Sequence, residues 1–156
     1  AGISLGTFYT YFSSKYDIVT HMYEVMDDYL LERKDDFMGH ATGEEDILSF
    51  ASAFGQFVQD WGYHANVLIL TTSIEEINEP SVRFRKIENL LIEIIEGAIE
   101  KKNFACPLET ADYMLSIMAL IRGTLLEWAK AGKDYPIRKK IEERMRIYLK
   151  MSEPRA

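Results

Sequence analysis

An all-α fold is predicted by three features of this 156-residue chain. Apolar residues recur at three- and four-residue steps almost throughout, without the sustained alternation that a half-buried strand needs. Only four prolines and nine glycines occur, and most fall between the periodic segments, where they punctuate helices. Apolar residues make up 47% and charged residues 28%, a balance that lets one globular domain of this length bury a core. No internal repeat or low-complexity stretch interrupts it.

Ser4 is placed to cap a short helix over residues 5–12, in which Phe8 and Phe12 stand one turn apart. Ser14 caps the next helix, with Asp17 three residues on to close a capping box, and Ile18, Met22, Met26 and Leu30 form its stripe to about residue 38. Gly39 and Ala41-Thr42-Gly43 break that helix. A third helix over 44–62 opens with Glu44, Glu45 and Asp46, which suit the positive end of a helix dipole. Its inward face is Phe50, Phe54, Phe57 and Trp61, after Ile47. A shorter helix follows over 64–77. Pro80 suits a helix start, and 82–102 reads as a long helix with the wide apolar arc Ile87, Leu90, Leu91, Ile94, Ile95, Ala98 and Ile99. Pro107 restarts the pattern for a helix over 108–131 that ends at Gly132. Asp134-Tyr135-Pro136 opens the last helix, 136–151, with Ile137, Ile141, Met145, Tyr148 and Leu149 inward. The short turn between the last two predicts an antiparallel pair.

Several function classes lose ground on composition. No apolar run approaches the roughly 20 residues needed to cross a bilayer, so no membrane association is expected. The start, Ala1-Gly2-Ile3-Ser4, lacks the features of a signal peptide, and the single Cys106 has no partner for an internal disulfide, so a cytoplasmic location is expected. His21, His40 and His64 are widely spaced without metal-ligand spacing, and no nucleophile elbow, phosphate loop or dinucleotide fingerprint occurs. The expectation is therefore no enzyme, no catalytic residues, no metal and no cofactor. The net charge of −7 is unevenly spread, basic over 130–150 and mostly acidic over 24–46, and both read as solvated helix faces.

Residues 1–19 carry more. Ala1 reads as the end of a preceding helix, Gly2 as a left-handed turn, Ile3 as the plug of the joint and Ser4 as the cap of the next helix. That is the second half of a helix-turn-helix. Gly6 and Thr7 keep the new helix's first turn slim enough to enter a major groove, while Phe8 and Phe12 face inward. Tyr9, Thr10 and Tyr11 project outward beside Lys15. Hydroxyls and a lysine suit phosphates, and Thr7 and Thr10 can reach base edges or thymine methyls.

The run A-G-I-S-x-G-T-F-Y-x-Y-F-x-S-K-x-D-I resembles the signature of TetR-family transcriptional regulators. The resemblance implies a recognition helix over Leu5–Phe12 and a DNA-binding set of Ser4, Leu5, Gly6, Thr7, Tyr9, Thr10, Tyr11 and Lys15. Leu5 departs from the polar residue frequent there. It also implies two helices ahead of Ala1 that complete the DNA-binding module, so that residues 1–38 are a partial module plus connecting helix and 39–156 a ligand-binding and dimerisation domain. Ile121-Arg122-Gly123-Thr124-Leu125-Leu126-Glu127-Trp128 is similar to the family's dimerisation helix, where Gly123 permits close approach. The partners implied are a duplex DNA operator, a small hydrophobic effector, and a second copy bound through 108–131 and 136–151. Effector binding in that family shifts the helix that here covers 15–38.

The aromatic face of the third helix has two readings: packed core, or the lining of an effector cavity. In the second, Phe54, Phe57 and Trp61 are joined by His64 and Asn66, with Tyr113, Ile117 and Arg122 reaching the same space. The function expected is a ligand-responsive repressor released by a small hydrophobic effector. The alternative is a helical small-molecule-binding protein without DNA function. A third reading, a purely structural helical module, leaves the aromatic face without a cavity.

Overall fold

A computed structural model describes residues 14–75, 86–101, 104–132 and 135–151, all of whose regular elements are α-helices. These are α1 (Lys15–Leu31), α2 (Lys34–Met38), α3 (Gly43–Trp61), α4 (Tyr63–Glu75), α5 (Lys86–Ile99), α6 (Thr110–Ala131) and α7 (Ile137–Met151).

The cap of α1 is as expected, with the Ser14 hydroxyl accepting from the Asp17 backbone N–H at 3.0 Å. The single helix expected to run to residue 38 is instead broken in two. The Arg33 backbone N–H turns to the Leu30 carbonyl at 3.2 Å. The Tyr29 carbonyl, its normal helical acceptor, takes the Arg33 guanidinium instead at 2.9 Å, and that guanidinium lies 3.7 Å from the Tyr29 ring centroid. The break re-aims α2 so that Phe37 is buried edge-on against Phe50, with ring centroids 5.8 Å apart.

Thr42, expected to lie in a breaker, is the N-cap of α3 in a complete capping box. Glu45 N–H donates to Thr42 Oγ1 at 3.2 Å, and Thr42 N–H donates to Glu45 Oε2 at 3.1 Å. Beneath it, a Cβ on Gly43 would stand 2.6 Å from the Ala98 Cβ, so only glycine lets this end of α3 meet α5 so closely. The buried Asp46 carboxylate ties the turn down. Its Oδ1 accepts from the His40 backbone N–H at 3.1 Å, its Oδ2 pairs with Lys101, and Lys101 Nζ also donates to the His40 carbonyl at 2.7 Å. A buried carboxylate is tolerable because it is paired and hydrogen-bonded.

Helices α3 and α7 run antiparallel. A Cβ on Gly55 would meet the Arg138 Cα at 2.9 Å, and a polar network seals the seam. The Ser52 hydroxyl donates to Glu142 Oε1 at 2.6 Å, while Arg138 donates to Glu142 at 2.9 Å and to Gln56 at 2.7 Å. Behind it, Ile137, Ile141, Met145 and Leu149 are buried at a four-residue spacing. In α5 the arc from Ile87 to Ala98 is buried, whereas Ile99, expected with it, is 43% exposed. In α6 the buried stripe is Tyr113, Met114, Ile117, Met118, Ile121, Thr124, Leu125 and Trp128. Gly132 ends that helix at φ +71°, where a side chain would be strained. Arg144 of α7 reaches Thr124 at 3.2 Å and pairs with Glu127, holding the expected antiparallel pair together. No described helix is long and apolar enough to cross a membrane.

Candidate functional site

The aromatic face of α3 is assembled as the spacing predicts, and most of it is closed. Phe50, Phe54 and Phe57 are all buried. Phe50 and Phe54 ring centroids lie 6.4 Å apart, and Phe57 packs on Trp61 at 4.5 Å. Tyr29 of α1 joins from the other side, 4.9 Å from Phe57, a member that helical spacing along α3 had no means of finding. Trp61 alone of the four is partly exposed. The cluster thus runs from a sealed core at Phe50 to the protein surface at Trp61, with α1 as one wall.

The polar residues expected around it are mostly engaged in architecture. Asn66 is buried, and its side-chain amide donates to the Val58 carbonyl at 2.8 Å and to the Gly62 carbonyl at 2.7 Å. It closes the end of α3, where Gly62 turns at φ +83°. An amide committed to two carbonyls is a poor candidate for orienting a ligand as the structure stands. His64 is exposed, its ring edge-on to Tyr63 at 5.4 Å. Tyr63 in turn donates to the Ala129 carbonyl at 2.8 Å and packs against Trp128. Arg122 points outward and pairs with Glu88 of α5 at 2.8 Å. Tyr113 and Ile117 are fully buried, and Tyr113 stacks on Tyr148 at 5.7 Å with Phe104 at 6.1 Å. Burial pushes the Tyr148 phenol above its ordinary range, so it stays protonated as a neutral wall of that cluster.

Of the expected ligand set, Phe54, Phe57 and Trp61 share one face of α3, while Asn66 closes its end, Arg122 pairs with α5, His64 is exposed, and Tyr113 and Ile117 are buried.

A groove of about 310 Å³ opens elsewhere, where the start of α3 faces the end of α7. Leu48 and Leu149 supply its apolar surface, Glu44 and Glu45 stand on one helix, and Arg146 and Lys150 stand on the other. Residues a hundred positions apart in sequence build it, so no local pattern announces it.

The DNA-binding set of Ser4, Leu5, Gly6, Thr7, Tyr9, Thr10 and Tyr11 lies outside the described residues. Lys15, the last of that set, is exposed on the first turn of α1, one residue beyond its Ser14 cap. At the far side of the molecule's sequence, α6 and α7 leave large apolar side chains in solvent: Leu115, Leu126 and, at 60% exposure, Ile147. A Cβ built on Gly123 meets no atom within 4 Å outside its own helix among the described residues. Nor do any three His, Cys, Asp or Glu side chains among those residues gather as a metal site.

Compared with known proteins, the chain matches no family model, no curated protein and no solved structure.

Proposed function

We propose that this chain is a ligand-responsive DNA-binding transcriptional regulator, a repressor released by a small hydrophobic effector. The observation that carries the reading is the sequence of Ala1–Ile18, in which glycines, hydroxyl-bearing residues and Lys15 stand in the order of the TetR-family pattern and are the residue types that a groove-reading helix requires. Its last residues enter α1 through the Ser14 cap, and α1 packs Met26 and Leu30 into the core while Tyr29 walls the aromatic cluster. A ligand acting on that cluster therefore has a direct mechanical route to the reading segment.

Dimerisation belongs to the same reading. The exposed Leu115, Leu126 and Ile147 with the open Gly123 lie on the α6–α7 pair, and a second copy seated there would cover them. Two reading helices held by such a dimer would meet half-sites about 34–36 Å apart, or a multiple of it. On this reading the protein is cytoplasmic, carries no cofactor and performs no catalysis.

The test is a gel shift of the intact gene product on its own upstream DNA, repeated with whatever small molecule native mass spectrometry finds in the freshly purified protein. A retarded band that the small molecule releases supports the repressor. Bound small molecule without any DNA shift would favour the helical ligand-binding protein instead.

A further inference from the structure

Asp27 is one of the few charged residues inside the protein, 6% exposed on the inner face of α1. Its Oδ2 accepts the backbone N–H of Lys86, the first described residue of α5, at 3.2 Å. A buried carboxylate that accepts a backbone N–H keeps both groups hydrogen-bonded, which makes such a contact costly to break. The charge on α1 is thus answered by a different helix, 59 residues later in the chain. The neighbouring contacts between these parts differ in kind. Lys86 reaches Asp28 at 3.9 Å with both side chains largely in solvent, and such a pair contributes little. The Lys34–Glu93 pair joins α2, beyond the break, and is also half exposed. Asp27 is a buried polar link between α1 itself and α5.

We propose that Asp27 is a positioning residue that clamps α1 to α5 at Lys86 and so sets the angle at which α1 leaves the helical body. This rests on the regulator reading for its purpose: α1 carries the reading segment, and movement of Lys86 in α5 passes to it through this hydrogen bond. Apolar packing of Met26 and Leu30 lets α1 slide, whereas a hydrogen bond donated to a buried carboxylate fixes its register.

The test is amide hydrogen exchange on this chain, which reads each helix separately. D27A removes the acceptor, and D27N keeps an oxygen at the same place. In D27A, exchange in α1 and in residues 86–91 is expected to quicken at least tenfold while α3 and α7 keep their protection, and D27N is expected to return near the unsubstituted rates. A merely structural residue would instead raise exchange evenly in every helix as global stability falls. That even rise, unchanged rates in α1, or D27N exchanging as fast as D27A would each overturn the clamp. If D27A does not fold by circular dichroism, D27S, whose hydroxyl is too short to reach, carries the same comparison. In the complete protein, D27A is expected to weaken binding to duplex DNA at least tenfold, and a loosened α1 with unchanged duplex affinity would refute the coupling. If the unsubstituted complete protein ignores DNA, the regulator reading has failed, and the clamp stands or falls on exchange alone.

Discussion

At the scale of single residues, Glu142 shows how environment sets a charge. Partial burial raises its pKa, but hydrogen bonds from Ser52 and Arg138 and the charges of Arg138 and Arg146 outweigh that and hold it below the usual glutamate range. A depressed carboxylate adds stability that is complete above its unfolded pKa and is lost as pH falls through its folded one. Thermal melts should therefore show E142Q less stable than the parent at neutral pH, with the gap closing below about pH 4.3 as both become uncharged. A gap that stays constant to pH 3 contradicts the assignment. The aromatic face can be dissected in the same way. Phe50→Ala empties a fully buried site and should cost about 3–5 kcal/mol in denaturant melts. Trp61→Ala, partly in solvent already, should cost less, yet it should remove any copurifying small molecule that native mass spectrometry detects. Equal losses of stability with ligand binding untouched would mark the whole face as core. Spacing alone had no power to make this distinction, because a packed stripe and a pocket wall use the same i, i+3, i+4 pattern.

At the scale of elements, helical periodicity placed the described helices to within a few residues at their ends, but it joined α1 and α2 into one. The apolar pattern of α1 continues through Phe37, so nothing in the spacing marked the break that Arg33 makes by capturing the Tyr29 carbonyl. Thr42 was hidden because Ala41-Thr42-Gly43 looks like punctuation, although Glu45 three residues on completes its box. Asn66 looked like a free polar group because its acceptor, the Val58 carbonyl, lies in the preceding helix. The glycines separate two kinds of helix contact. Gly55→Ala drives a Cβ into the α7 backbone at Arg138 and should destabilise by about 1–3 kcal/mol, lowering the melting temperature. Gly123→Ala meets nothing within 4 Å among the described residues and should be neutral or stabilising by up to about 1 kcal/mol. If α6 and α7 form the interface, Gly123→Leu should leave the fold intact by circular dichroism but shift light scattering from dimer toward monomer. An unsubstituted chain that is already monomeric at micromolar concentration removes the interface.

At the scale of the whole molecule, the proposed regulator joins its reading segment to a helical body through α1. On the proposed reading the intact protein should bind a near-palindromic duplex, because two copies present two reading helices. Lys15 stands exposed on the first turn of α1, where a phosphate would be met by a side chain rather than by base edges. Lys15→Ala should therefore weaken binding to every sequence alike, and the slope of log affinity against log salt should fall by about one, the signature of one lost phosphate contact. Thr10→Ala should act differently, relaxing preference at a single half-site position by roughly 1–3 kcal/mol while leaving the salt slope unchanged. Titrations of the three proteins across a salt series distinguish these effects. If the intact protein binds with an affinity that neither substitution alters, the segment 1–15 is not the reading surface.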